Sequence, residues 1–198
     1  MIQKLLLNLE IDSDFAFRRR QLLLKEMDTL KGKDVSCAEC SGTCCTASAN
    51  SMLITPLEAL DLYCFLIKEE RLNDASLRLC QDIVNEYRLD KDFMQGKRSF
   101  FRRTYTCPFF KEGAKGCSIA PEFKPYGCLG FNAKISGANG ESGCESNVHL
   151  LQEREKTYLD LETEINWKLK ERLGLGWEKR AIPLALLELH RVLSLANK

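Results

Sequence analysis

Net charge of either sign is missing from this chain: 29 lysines and arginines face 28 aspartates and glutamates over 198 positions. Without a basic field, nothing in the composition points to nucleic acid or to an anionic membrane as a partner. A long apolar run is missing from the N-terminus, where Leu5, Leu6 and Leu7 are followed by Asn8 and Glu10. So short a stretch makes neither a signal-peptide core nor a membrane span, and a cytoplasmic location is expected. Histidine is scarce, and neither His149 nor His190 has a His or carboxylate neighbour at metalloprotease spacing. A phosphate-binding glycine loop is missing as well. The run SGANGESG at 136–143 has the glycines but no preceding strand of the needed length, so it reads as a turn. No repeat, low-complexity tract or flexible linker divides the chain, and its length suits one domain with one core.

What the chain does have is cysteine, ten in all, with Cys37, Cys40, Cys44 and Cys45 inside the nine residues CAECSGTCC. A core gains nothing from a Cys-x-x-Cys step followed by a vicinal pair, and in a reducing compartment such density holds a metal more often than disulfides. Four more candidates follow at Cys107, Cys117, Cys128 and Cys144. One turn of backbone lets Cys37 and Cys40 aim at one metal. Adjacent side chains in extended backbone point to opposite sides, so Cys44 and Cys45 are expected to serve two neighbouring centres. Thiolate ligands select zinc or the iron of an iron-sulfur cluster and exclude calcium and magnesium. The Cys107-Pro108 step, similar to the end of bacterial ferredoxin motifs, tips the choice slightly toward iron-sulfur. A thiol redox role for Cys37 and Cys40 would require a thioredoxin-like strand-helix-strand frame, which the pattern lacks.

The rest reads as mainly α, with little or no β. Helices are expected in the N-terminal 36 residues, where Gly32 ends the pattern, and a helix starts at Thr55, Pro56 and Glu58 with a capping-box signature. The stripe of that helix is Leu57, Leu60, Cys64 and Ile67. A second helix covers 74–88, with Leu79, Cys80, Ile83, Val84 and Tyr87 on one side. Cys64 and Cys80 are therefore assigned to the core. Residues 97–105 alternate enough for a short strand. The segment 107–144 is rich in glycine and proline and needs a source of order beyond apolar burial, which a thiolate-bound metal supplies. Two more helices are expected, one from about Val148 to the glycines 174 and 176 and one over 182–195. The single domain thus divides into N-terminal helices (1–36), a cysteine-cluster metal-binding core (37–144) and C-terminal helices (145–198).

The array CAECSGTCC, followed by CPFFKEGAKGCSIAPEFKPYGC and accompanied by the Thr55-Pro56-x-Glu58-Ala59 helix start, resembles the YkgJ-type cysteine-cluster family over about 37–128. Ala120, Lys124 and Leu129 depart from the family pattern but leave the cysteines intact; Cys144 lies beyond it. The resemblance implies a zinc- or iron-chelating domain. It also implies an alternative, an iron-sulfur-dependent protein-modifying enzyme, because a similar domain occurs in flagellin lysine methylases. No reaction is specified by these residues, and a protein partner is left open.

Overall fold

The structure, a computed structural model, describes residues 42–91, 103–112, 117–129 and 148–195, with the isolated helical positions Gln21, Leu24, Lys25 and Asp28. Within 148–161 only the Lys156 side chain is described. The expected N-terminal helices, apart from those positions, and Cys37, Cys40 and Cys144 lie outside the described residues.

Among the described residues the protein is mainly helical, with one two-stranded sheet. Helix α1 (Pro56–Lys68) starts where the sequence places it. The Thr55 hydroxyl accepts from the Glu58 amide, the Glu58 carboxylate accepts from the Thr55 amide at 3.0 Å, and Pro56 occupies the first turn, where no amide is required. Helix α2 (Asp74–Tyr87) is capped by Asn73 and Ser76 in the same reciprocal manner, and Arg88 ends it in left-handed backbone at φ 51°. A four-residue helix, α3 (Tyr126–Leu129), precedes the long α4 (Val148–Leu173). Gly174, at φ 63°, terminates α4, and the Leu175 amide turns back to the Lys170 carbonyl. Helix α5 (Ile182–Leu195) closes the described chain.

Strands β1 (Leu53–Ile54) and β2 (Arg180–Ala181) pair antiparallel, Leu53 opposite Ala181. Each strand runs directly into a helix, β1 into α1 and β2 into α5, so the short sheet pins two helix starts side by side. Helix α5 packs on both α1 and α2, while α1 also meets α4. The face Ile182, Ala185, Leu186, Leu189 and Leu193 is buried between these neighbours.

Two apolar assignments need correction. Helix α1 is not a one-sided amphipath: Leu57, Ala59, Leu60, Leu62, Tyr63, Phe65 and Leu66 are all buried, whereas Ile67 is 36% exposed. A helix with neighbours on several sides buries more than one stripe. On α2, Leu79 is 47% exposed, whereas Cys80, Ile83 and Val84 are buried, so the covered face of this helix excludes Leu79. Of the expected strand at 97–105, residues 103–105 carry no strand assignment, and 97–102 lie outside the described residues.

One buried tyrosine joins these parts. The hydroxyl of Tyr105 donates to the Met52 carbonyl at 2.6 Å and accepts from the Ile182 amide at 3.1 Å. Replacing Tyr105 by Phe strips the buried Ile182 amide and the part-buried Met52 carbonyl of their partner, and a buried unsatisfied group costs about 1–3 kcal/mol. Urea unfolding should show Tyr105→Phe destabilised by at least about 1 kcal/mol at unchanged m-value; a variant as stable as the parent would show that the hydroxyl does not hold this junction.

Candidate metal centre

The cysteine loop enters the described region as a tight 3-10 turn over Thr43–Cys45, with the Cys45 amide donating to the Gly42 carbonyl at 2.7 Å and Gly42 at φ 79°. This corrects the premise that set Cys44 and Cys45 on opposite sides. The pair lies in a turn, where alternation does not hold, and the Cys44 thiol interacts with that of Cys45.

The chain then turns through Asn50, and here the two cysteine segments are fixed to each other. The Asn50 carbonyl accepts from the Tyr105 amide and its Nδ2 donates to the Tyr105 carbonyl, both at 2.9 Å, while its Oδ1 accepts from the Met52 amide. Two residues further on, the Cys107 amide donates to the Cys45 carbonyl at 2.8 Å. Cys45 and Cys107, far apart in sequence, are thereby neighbours in backbone.

Beyond Cys107 a turn brings Phe110 opposite Cys117 in an isolated antiparallel bridge, and the Ser118 amide donates to the Phe109 carbonyl. Arg71, from the loop between α1 and α2, donates to the Ser118 carbonyl and hydroxyl at 2.7 Å each, with its guanidinium 5.9 Å from the ring centres of both Phe65 and Phe109. Phe123 stacks on Phe65 at 4.8 Å. Cys128 sits in α3, which Pro125 initiates. The neighbouring Gly127 allows close approach, since a Cβ there would come within 2.7 Å of the Met52 sulfur.

Five of the eight candidates are thus described, and their thiols or charges reach one another. Cys45 bonds to the thiols of Cys107, Cys117 and Cys44, while Cys128 senses Cys117, Cys44 and Glu58. None of the five is in a disulfide. The thiols are not equivalent. Hydrogen bonding to Cys107 and Cys117, together with burial, keeps the proton on Cys45. The bond received from Cys45, assisted by the charges of Lys124 and Arg71, lowers Cys117 to about 6. Burial, then the negative charge of its neighbours, pushes Cys128 well up. The group therefore holds a ready thiolate at Cys117 beside protonated thiols at Cys45 and Cys128.

This donor set, all sulfur and flanked by cations, fits a thiophilic metal. Its sulfurs are not arranged as a closed coordination shell: among the described residues no group of three or more His, Cys, Asp or Glu stands as a metal-ion site. They meet instead through thiol hydrogen bonds, which a metal would replace by displacing the protons. Cys64 and Cys80 take no part in the Cys45 interactions. Cys80 is buried in the core and Cys64 packs against it partly buried. The described histidine side chain, His190, bonds through Nδ1 to the Tyr63 hydroxyl at 2.8 Å. Sequence reading missed Asn50, Tyr105 and Arg71; the only local hint was an aromatic two residues before Cys107.

No family model, curated protein or solved structure matches the chain.

Cys64 and Cys80 yield a pH prediction that the candidate ligands do not enter. Burial raises both thiols from an ordinary 9.0 to about 12. Because the folded value is the higher, their contribution is intact below pH 9 and lost as pH rises toward 12, where the unfolded chain ionises first. Between these limits the stability of the parent should fall more steeply than that of the Cys64→Ala/Cys80→Ala variant in urea melts. Parallel curves would show that the two thiols are not held in apolar surroundings.

Proposed function

We propose that the chain is a metal-binding protein whose cysteines hold zinc or the iron of an iron-sulfur centre, with iron-sulfur slightly preferred. The observation that carries this reading is the convergence of Cys44, Cys45, Cys107, Cys117 and Cys128 from separate segments without a disulfide among them. Structural reasons alone would not gather five thiols around buried backbone bonds, where each could be an inert apolar side chain. Cys45, Cys107 and Cys117 form the inner group, with Cys44 and Cys128 beside it; Cys37, Cys40 and Cys144 are further ligands on sequence grounds. Four sulfurs complete either a tetrahedral zinc site or a cluster. Such a group would supply local cross-linking of the fold or, if a cluster, a one-electron couple.

A second reading has an observation of its own. Cys117, with its lowered pKa, lies in hydrogen-bonding contact with Cys45, an arrangement that suits thiolate-disulfide chemistry. Here Cys45 and Cys117 would be the pair, in place of Cys37 and Cys40.

Metal analysis separates the two. Anaerobically purified full-length chain should contain iron with sulfide, or zinc, at a stoichiometric level. Cys45→Ser and Cys117→Ser should lose most of it, while Cys64→Ala and Cys80→Ala keep it. Metal-free protein in which Cys45 and Cys117 form a reversible disulfide would favour the redox reading instead. Removing the metal should raise amide exchange across 117–129 and leave α1 and α5 protected, because those helices have apolar burial of their own. Equal protection of 117–129 with and without metal would show that no metal orders it.

A further inference from the structure

A cavity of about 130 Å³ lies where α1, the α1–α2 loop, α2 and α5 meet the turn that follows Cys107. Leu66 of α1, Leu72 of the loop, Leu77 of α2, Leu186 of α5 and Phe109 supply its apolar wall. Leu66, Phe109 and Leu186 are buried, whereas Leu79, the exposed leucine of α2, also lines the cavity, which opens to solvent beside it. Protein interiors are close-packed, and side chains around a void of this size lack contacts that a neighbour would otherwise supply. An occupant that restores those contacts is favoured.

The polar side chains of the wall decide what that occupant is, because they are already engaged. Arg71 directs both terminal nitrogens at Ser118, one to the carbonyl and one to the hydroxyl. The Ser76 hydroxyl accepts from the Asn73 amide and donates to the Asn73 carbonyl. Cys80 is buried, and burial pushes its thiol up to about 12, so it lines the cavity as a neutral, weakly polar group. A polar ligand or an ordered water needs several partners that these side chains do not offer. An apolar molecule needs none. Size sets a further limit: an apolar protein cavity of roughly 150 Å³ takes up benzene or xenon. Phe109 and the Cys80 sulfur both suit contact with an aromatic ring.

The geometry points to a binding site for a small apolar molecule of single-ring size, held among Leu66, Cys80, Phe109 and Leu186. None of the candidate metal ligands lines this cavity, so the site stands apart from the metal reading.

Benzene is the probe. Titrated into the full chain as purified, it should bind saturably at one site by calorimetry, with half-occupancy at about 1 mM or below. In methyl-labelled protein, intermolecular NOEs from benzene should reach the methyls of Leu66, Leu72 and Leu186, a measurement that requires no variant. Phenol should bind more weakly than benzene, because burying its hydroxyl without a partner is costly. Cys80→Leu adds volume to the wall and should weaken benzene by about tenfold or more, while Cys80→Ala enlarges the cavity and should retain binding. No saturation up to the solubility limit of benzene, NOEs confined to other residues, tighter binding of phenol than of benzene, or full affinity in Cys80→Leu would overturn the assignment.

Discussion

The interlock between Asn50 and Tyr105 is the constraint on which the rest of the structure depends. Asn50 satisfies both backbone groups of Tyr105, and the Tyr105 hydroxyl in turn satisfies Met52 and Ile182. A net intramolecular hydrogen bond contributes only about 1 kcal/mol, but buried groups left without partners cost more, so the set forms together or not at all. Its consequences spread in two directions. Through Met52 and Ile182 it brings β1 to β2 and sets the starts of α1 and α5 side by side. Through the next hydrogen bond, from Cys107 to Cys45, it aligns the two cysteine segments. The alignment of Cys45 with Cys107 is therefore carried by hydrogen bonds of the polypeptide.

Charge explains why this gathering of sulfur can be tolerated. A thiolate inside a protein needs a cation or a donor, and the Cys117 environment supplies both: a proton from Cys45 and the charges of Lys124 and Arg71. Four thiolates around a dication would leave a formal charge of about −2, and Arg71 and Lys124 offset it. The same balance would hold for a four-cysteine cluster whose core carries two positive charges, so charge does not choose between zinc and iron. Arg71 has a second task. Flanked by two phenylalanine rings and fixed to Ser118, it acts as a cross-link between the α1–α2 loop and the Cys117 segment.

Much of the scaffold was legible because its signals are local. Thr55, Pro56 and Glu58 mark a helix start by chemistry confined to one turn, and α5 spans the very stretch its periodicity marks, 182–195. Which sides of α1 and α2 are buried was not legible, since that depends on where their neighbours lie, and Ile67 on α1 and Leu79 on α2 were assigned to the wrong environment for this reason. The cysteines declared themselves by number and spacing. The side chains that bring them together did not: Asn50 and Tyr105 are 55 residues apart, and Arg71 and Ser118 are 47 apart, distances at which no periodic pattern survives. The backbone of the vicinal pair was misread because an extended geometry was assumed where Gly42 permits a tight turn.

The cysteine group and α4 are connected through the first turn of α1. Leu57 gives its amide to Asn166 of α4, and the next residue, Glu58, contributes the charge that Cys128 senses. Glu58 is at the same time half of the capping box that fixes this turn. A shift of the turn would have to break that box and the Leu57–Asn166 bond together. The first turn of α1 is therefore held from two sides, by its own capping box and by α4, and it forms a fixed wall behind Cys128.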